Sequence, residues 1–259
     1  MIKNSLYKIW ALSKKNISLY IKSGPVIIFG LMFPFFMTLS WVLGREISVN
    51  QIFIGIIAMT SFFSATAISP VVLPIETREK SLERILSAPV SLNQILLGIV
   101  VASALYSFIA TSVIALIFVI IFPSLFSSVI YAFLFWLGIC LMSILGSLLA
   151  LLVSAIPTDK TSDIMLTMNL IKFPLLFVSG MFLPLEVLSL PAVILSFLSP
   201  LTFLIDLFRY CVDGQNYFPF YISLLILVLW IIALFLANAY FHKKTMPKRF
   251  GSGKPKKKK

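Results

Sequence analysis

Residues 76–98 read ETREKSLERILSAPVSLNQILLG, the only densely charged segment between the two ends of a very apolar chain. On either side lies a hydrophobic run long enough to cross a bilayer. Glu76 and Lys80 are four apart, in the favourable order for an ion pair along a helix. Leu82, Ile85 and Leu86 form an apolar edge at helical spacing, while Glu79, Glu83 and Arg84 project elsewhere. Pro89 ends the helix, and Ser91 or Asn93 can cap the next one. The segment reads as a short charged helix at one membrane face. The residues alone leave two readings open: docking into a groove on a cytosolic partner, or a solvated loop helix without one.

The 259 residues are 60% hydrophobic and 12% charged, with a mean hydropathy of +1.05. A soluble domain cannot hide that much apolar surface, so the expected class is an all-α integral membrane protein. The net charge of +12 would suggest nucleic acid in a soluble protein. Here the basic residues lie at membrane edges, where the topology rule accounts for them, and no nucleic-acid partner is expected.

Six apolar spans are expected, at about residues 26–43, 52–75, 95–122, 129–156, 164–183 and 218–241, with Pro34 a kink in the first. Residues 3–22 read as an amphipathic helix in the headgroup layer, with Leu6, Ile9, Trp10, Ile17 and Tyr20 near one face and Lys8, Lys14, Lys15 and Lys22 in other sectors; a loose basic leader that only sets topology is the alternative. Residues 185–217 are apolar but interrupted by Pro191 and Pro200. They suit a re-entrant or interfacial hairpin, with Asp213-Gly214 as its stop. An ordinary loop with one amphipathic helix is the alternative. The transmembrane unit is thus expected over residues 1–242, followed by a basic cytoplasmic tail, 243–259, whose end (251–259) is expected to be disordered and resembles an added linker.

Six spans put both termini on one side, together with eighteen of the 21 Lys and Arg residues. Arg45 and Arg209 fall on the other side and Lys172 within a span. Both termini are therefore expected in the cytoplasm of a multi-pass plasma-membrane protein.

No phosphate-binding G-x-x-x-x-G-K-[ST] loop, H-E-x-x-H, C-x-x-C or G-x-S-x-G is present. His242 is the only histidine, and Cys140 and Cys211 lack metal-site spacing. None of the nine acidic residues falls mid-span on these boundaries, which argues against proton- or sodium-driven transport. Lys172, about 12 Å into the fifth span by helical rise, is expected to snorkel along its stem towards the cytosol.

The 76–98 stretch resembles the coupling-helix signature of type-2 ABC exporter permeases. That signature has an acidic and basic start, Gly-Thr, Leu-Glu, a Leu pair, a small residue and Pro, then Leu-Gly. Here Lys80-Ser81 stand in place of Gly-Thr. Two further segments resemble the family's motifs: Phe173-Pro-Leu-Leu-Phe-Val-Ser-Gly-Met-Phe-Leu-Pro184, and Ser199-Pro-Leu-Thr202 with Asp206 and Arg209. In this order they cover nearly the whole chain.

The resemblance implies a coupling helix over residues 76–91 and a cytosolic ABC ATPase in two copies, with ATP and Mg bound there and no cofactor in this chain. A second permease copy or a paralogue completes the assembly in the lipid. Glu76, Arg78, Glu79, Leu82, Glu83, Arg84, Leu86 and Pro89 would contact the ATPase. Phe62, Phe63, Met168, Phe173 and Phe177 would line the path, with Gly180 at the outer gate, and Pro184, Pro200, Asp206 and Arg209 would be structural. The aromatic path favours a hydrophobic or amphipathic cargo, as in daunorubicin-type members. Polysaccharide or lipid-linked glycan exporters share the signatures. Rivals from other classes are a scaffold or intramembrane enzyme, and a secondary transporter or channel.

Overall fold

The computed structural model describes residues 2–20, 24–183 and 185–251. Its spine is α4 (Val49–Arg78), buried on every side through most of its length. A helix that is apolar all round has no solvent face to offer, so it is surrounded by other helices or by lipid. Ser48 caps its start by accepting from Gln51 N. Pro70 and Pro74 lie inside the helix, tolerated where neighbours pack around the freed backbone.

Helices α6 (Leu92–Ile121) and α7 (Val129–Val153) pack on α4 and on each other. Serines knit the three together. Ser107 Oγ donates to Ser61 O and lies 2.9 Å from Ser64 Oγ and 3.0 Å from Ser143 Oγ, while Ser103 donates to Ala65 O at 2.7 Å. Small residues let the backbones approach closely, as membrane helix pairs require. A Cβ on Gly146 would stand 2.7 Å from Ala65 Cβ.

Around this trio lie the remaining elements. α1 (Ile2–Tyr20) runs against α6. α2 (Gly24–Ile27), a π-helical stretch (Ile28–Met32) and α3 (Phe33–Val42) follow one another without a break and lean on α4. The π stretch has a cause: Pro34 has no N–H to give and its ring crowds the carbonyl four residues back, so Phe33 N reaches to Ile28 O instead. The kink expected at Pro34 is therefore a π turn.

α8 (Thr161–Phe177) also packs on α4. α9 (Leu190–Ser196) and α10 (Pro200–Asp213) are bent 99° to each other, and α11 (Phe220–Gly251) closes the chain against α7 and α10. Gly214, at φ +68°, stops α10 in the left-handed conformation where glycine carries no Cβ penalty.

Among the described residues, four helices are long and apolar enough to cross a membrane: α4, α6, α7 and α11. The bent pair α9–α10 makes a fifth if counted as one span. The first expected span, drawn over 26–43, is helical over 24–42 with the π turn inside it, and the fifth is shorter than drawn from sequence. The fifth, taken to residue 183, ends at Phe177, because Val178 caps it and Ser179 bonds back to Leu176 O before Gly180 turns away at φ +74°. Lys22, Pro184 and residues 252–259 of the basic tail lie outside the described residues.

Candidate functional site

The charged segment is an elbow. α4 ends at Arg78, Glu79 and Lys80 break the helix, and α5 (Ser81–Ser87) follows. Lys80 sits at φ +56°, ψ +16°, the left-handed region that favours glycine. Ala88 and Pro89 then extend the chain to Ser91, which opens α6 with a reciprocal capping box: Ser91 Oγ accepts from Gln94 N, and Gln94 Oε1 from Ser91 N.

α5 has two faces. Leu82 is fully buried and Ile85 and Leu86 pack against the core, so the apolar edge is used inward. Arg78, Glu79, Glu83, Arg84 and Pro89 are exposed. Of the eight residues expected to meet a partner, these five stand at the surface, Leu82 and Leu86 anchor the helix from behind, and Glu76 is buried.

Glu76 corrects the helical ion pair expected with Lys80. The helix breaks before Lys80, and Glu76 Oε1 instead accepts from Lys15 Nζ of α1 at 2.6 Å. α1 straps the elbow at further points. Lys8 Nζ donates to Pro89 O, Gln94 Nε2 to Ser5 Oγ at 2.8 Å, and Ser13 Oγ to Gly98 O at 3.0 Å. A Cβ on Gly98 would stand 2.7 Å from Leu12 Cβ, so the Leu-Gly of the motif marks the contact of α1 with α6. The face of α1 turned to the protein is the small and polar one, with Ser13 and Asn16 buried, while Leu6 and Trp10 are exposed. Sequence periodicity found the outward apolar face and missed the inward one, where Ser13 and Asn16 sit beside Leu12.

A second strap comes from the far end of the chain. Arg249 donates to Thr77 Oγ1 on α4 and to the carbonyls of Ser154, Ile156 and Thr158. The elbow, α1, the α7–α8 turn and the end of α11 thus gather at one end of the helices. Composition had assigned Lys15 and Arg249 to membrane edges only. The available signal was an acidic residue, Glu76, at the end of an apolar run, which needs a basic partner once buried.

At the opposite end, Trp41, Arg45, Glu46, Gln51, Phe182 and Arg209 border a recess of about 200 Å³. Arg209 donates to Gly180 O at 3.0 Å and lies 3.9 Å from Glu186. Asp206 is buried and saturated: it accepts from Tyr217 N at 2.6 Å, Phe218 N at 3.1 Å and Ser223 Oγ at 3.0 Å. Three donors on one carboxylate make it a clamp between α10 and the start of α11. Pro200 begins α10 at its first turn, where a missing N–H costs nothing.

The expected path residues do not come together as one lining. Phe62 and Phe63 are fully buried on α4, and Met168 packs in a small cluster with Ala150, Val153 and Ile164. Phe63 and Phe173 join Phe33 in an aromatic group, with ring centroids 4.9 to 6.1 Å apart. Phe177 is exposed and stacks on Phe182 at 5.5 Å. Gly180 is buried, and a Cβ there would meet Leu185 at 2.8 Å.

Lys172 does not snorkel. Its side chain is 2% exposed, and its ammonium stands 4.4 Å from the Phe63 ring centroid and 5.9 Å from that of Phe29. The stem follows ring faces that attract a cation instead of reaching for water.

The sequence profile of ABC-2 type transporters matches residues 7–212, from α1 through the elbow to α10. The chain belongs to that family. A comparison with curated proteins gave no match. This ABC-2 permease is therefore a membrane transport subunit, and the family implies partnership with an ABC ATPase subunit.

Proposed function

We propose that this permease is the membrane half of an ATP-driven exporter in the plasma membrane, working in two copies or with a paralogue beside two ATPase subunits that bind ATP and Mg. The observation that carries this reading is the elbow. α5 is anchored by Leu82 at the end of α4, which is buried through most of its length, and the elbow shows Glu79, Glu83 and Arg84 outward. A push on α5 from the cytosol has no slack to dissipate in, because Lys15, Lys8 and Arg249 tie the same end to α1 and α11. It passes along α4 into the ring-lined interior. Alternating access then follows from rearrangement of α4 and α8 between two packings.

The arrangement is completed by six spans, with α1 lying in the cytoplasmic interface, both termini cytoplasmic and the α9–α10 pair re-entrant on the outer side. The gathering of basic segments at the elbow end, with Arg45 and Arg209 at the other, supports that orientation. The buried acid Asp206 does not favour ion-driven transport, since all its bonds go to fixed donors.

The test is ATP turnover and coupled efflux by the reconstituted permease–ATPase complex, comparing the native chain with the double charge reversal Glu79→Lys, Glu83→Lys. Loss of coupling with the permease still folded is expected. Undiminished efflux by the charge-reversed complex removes the elbow from the mechanism.

A further inference from the structure

Lys172 lies about 16 Å along α8 from Thr161 by helical rise, half the ~30 Å thickness of a hydrocarbon core. A cation held at that depth is costly, and such residues are functional by default. The ion pairs among the described residues are Lys15–Glu76 and Arg209–Glu186, so no carboxylate neutralises Lys172. Ring faces soften the cost, and its contacts among the described residues are with rings and not with an oxygen.

From this ammonium an aromatic seam runs outward between α3 and α8. On one side Phe29, Phe33, Met37 and Trp41 recur every fourth residue, which stacks them along one helical face. On the other side stand Phe173 and Phe177, again four apart, followed by Phe182. Rings join the two sides: Phe33 to Phe173 at 5.5 Å and Trp41 to Phe182 at 5.7 Å. α3 and α8 both lean on α4, and it is side chains that fill the space between them. At the outer end the seam opens into a recess of about 610 Å³ bordered by Met37, Trp41, Arg45, Phe177 and Phe182. Arg45 is exposed there, and it also borders the neighbouring recess that holds Arg209 and Glu46.

We propose that this seam binds an amphiphile with one anionic head on an apolar tail, with Lys172 as its mid-membrane counter-charge and Arg45 at its outer mouth. Two cations bracket the seam, Arg45 exposed at its open outer end and Lys172 buried at its inner end, where a head arrives only when the packed rings part. Aromatic faces alone would welcome a cationic amphiphile, but the fixed ammonium of Lys172 occupies those faces and repels a second positive charge. The selectivity is thus set by charge at Lys172 and by rings along the rest. Where the occupant is cargo, this names the substrate class of the exporter proposed above and rests on that reading. The same chemistry is offered by an acidic cargo and by an anionic membrane lipid.

The test uses the full-length permease in nanodiscs and three photoactivatable probes of one chain length: a fatty acid, its methyl ester and the matching quaternary ammonium. Crosslinks are mapped by mass spectrometry. The acid is expected to label α3 and α8 peptides of the native chain well above the ester and the ammonium. Lys172→Met is expected to lower acid labelling roughly tenfold, the loss of one buried charged hydrogen bond, while Lys172→Arg retains it. Arg45→Gln, at an exposed position, is expected to lower it less. Discs with and without phosphatidylglycerol separate the two sources: competition by that lipid marks a membrane lipid as occupant, and its absence marks a cargo. Equal labelling by acid and ester, or unchanged labelling in Lys172→Met, overturns the proposal. The readout needs no ATPase, so charge-selective labelling of a permease to which no ATPase binds upholds the seam and removes the exporter reading instead.

Discussion

Lys80 holds a backbone conformation that costs an ordinary residue about 1 kcal/mol and glycine almost nothing. The signature that this stretch resembles has glycine at this point, and the left-handed turn supplies a reason: Glu79 and Lys80 alone separate α4 from α5. Lys80→Gly is therefore expected to stabilise the permease by about 0.5–1 kcal/mol, read as a higher denaturation midpoint in detergent, and an unchanged or lower midpoint would contradict it. Glu76 is the opposite case. Its spacing from Lys80 suggested a surface pair, and nothing local in the sequence points to Lys15, sixty-one residues earlier. Lys15→Met is expected to cost about 2 kcal/mol, short of a fully buried pair because Lys15 is 34% exposed. Adding Glu76→Gln should return part of that loss. A double-mutant cycle with no coupling between the two sites would show that the contact contributes nothing.

At the scale of elements, hydrophobic runs located α4, α6, α7 and α11 because lipid and core both demand continuous apolar surface. α8 was drawn too long, since apolar residues after Phe177 continue the hydropathy signal while Gly180 turns the backbone. α10 was legible from Pro200 and Gly214, whereas the Asp206 clamp was not, because its partners at Tyr217, Phe218 and Ser223 donate mainly through the backbone. Asp206→Ala is expected to lower stability by about 1–3 kcal/mol and to raise hydrogen exchange at residues 217–223. Exchange unchanged there would mean α11 is held elsewhere. The contact of α1 with α6 rests on Gly98, so Gly98→Val is expected to cost about 1–3 kcal/mol and to separate Ser5 from Gln94. A short bismaleimide linking cysteines placed at those two positions reads the separation directly, and undiminished linking refutes it.

For the whole molecule, the proposed six-span topology would place Lys160 inside the cell and Arg45 outside. With Cys140 and Cys211 replaced by alanine, a cysteine at position 45 is expected to react with an impermeant maleimide added outside, and one at position 160 only after the membrane is opened. The reverse pattern would invert the orientation. The elbow matters because it is where three distant parts of the chain meet: α1 through Lys15, the end of α11 through Arg249, and α4 itself. The most direct measurement is site-specific crosslinking from α5 to the ATPase, with a photoreactive residue at Arg84 in the assembled complex. A covalent adduct that forms at Arg84, shifts in yield when ATP is added, and is absent from a control at exposed Leu166 on α8 is the predicted result. An ATPase that co-purifies with the permease yet never crosslinks at Arg84 would contradict the claim that α5 is the point of contact.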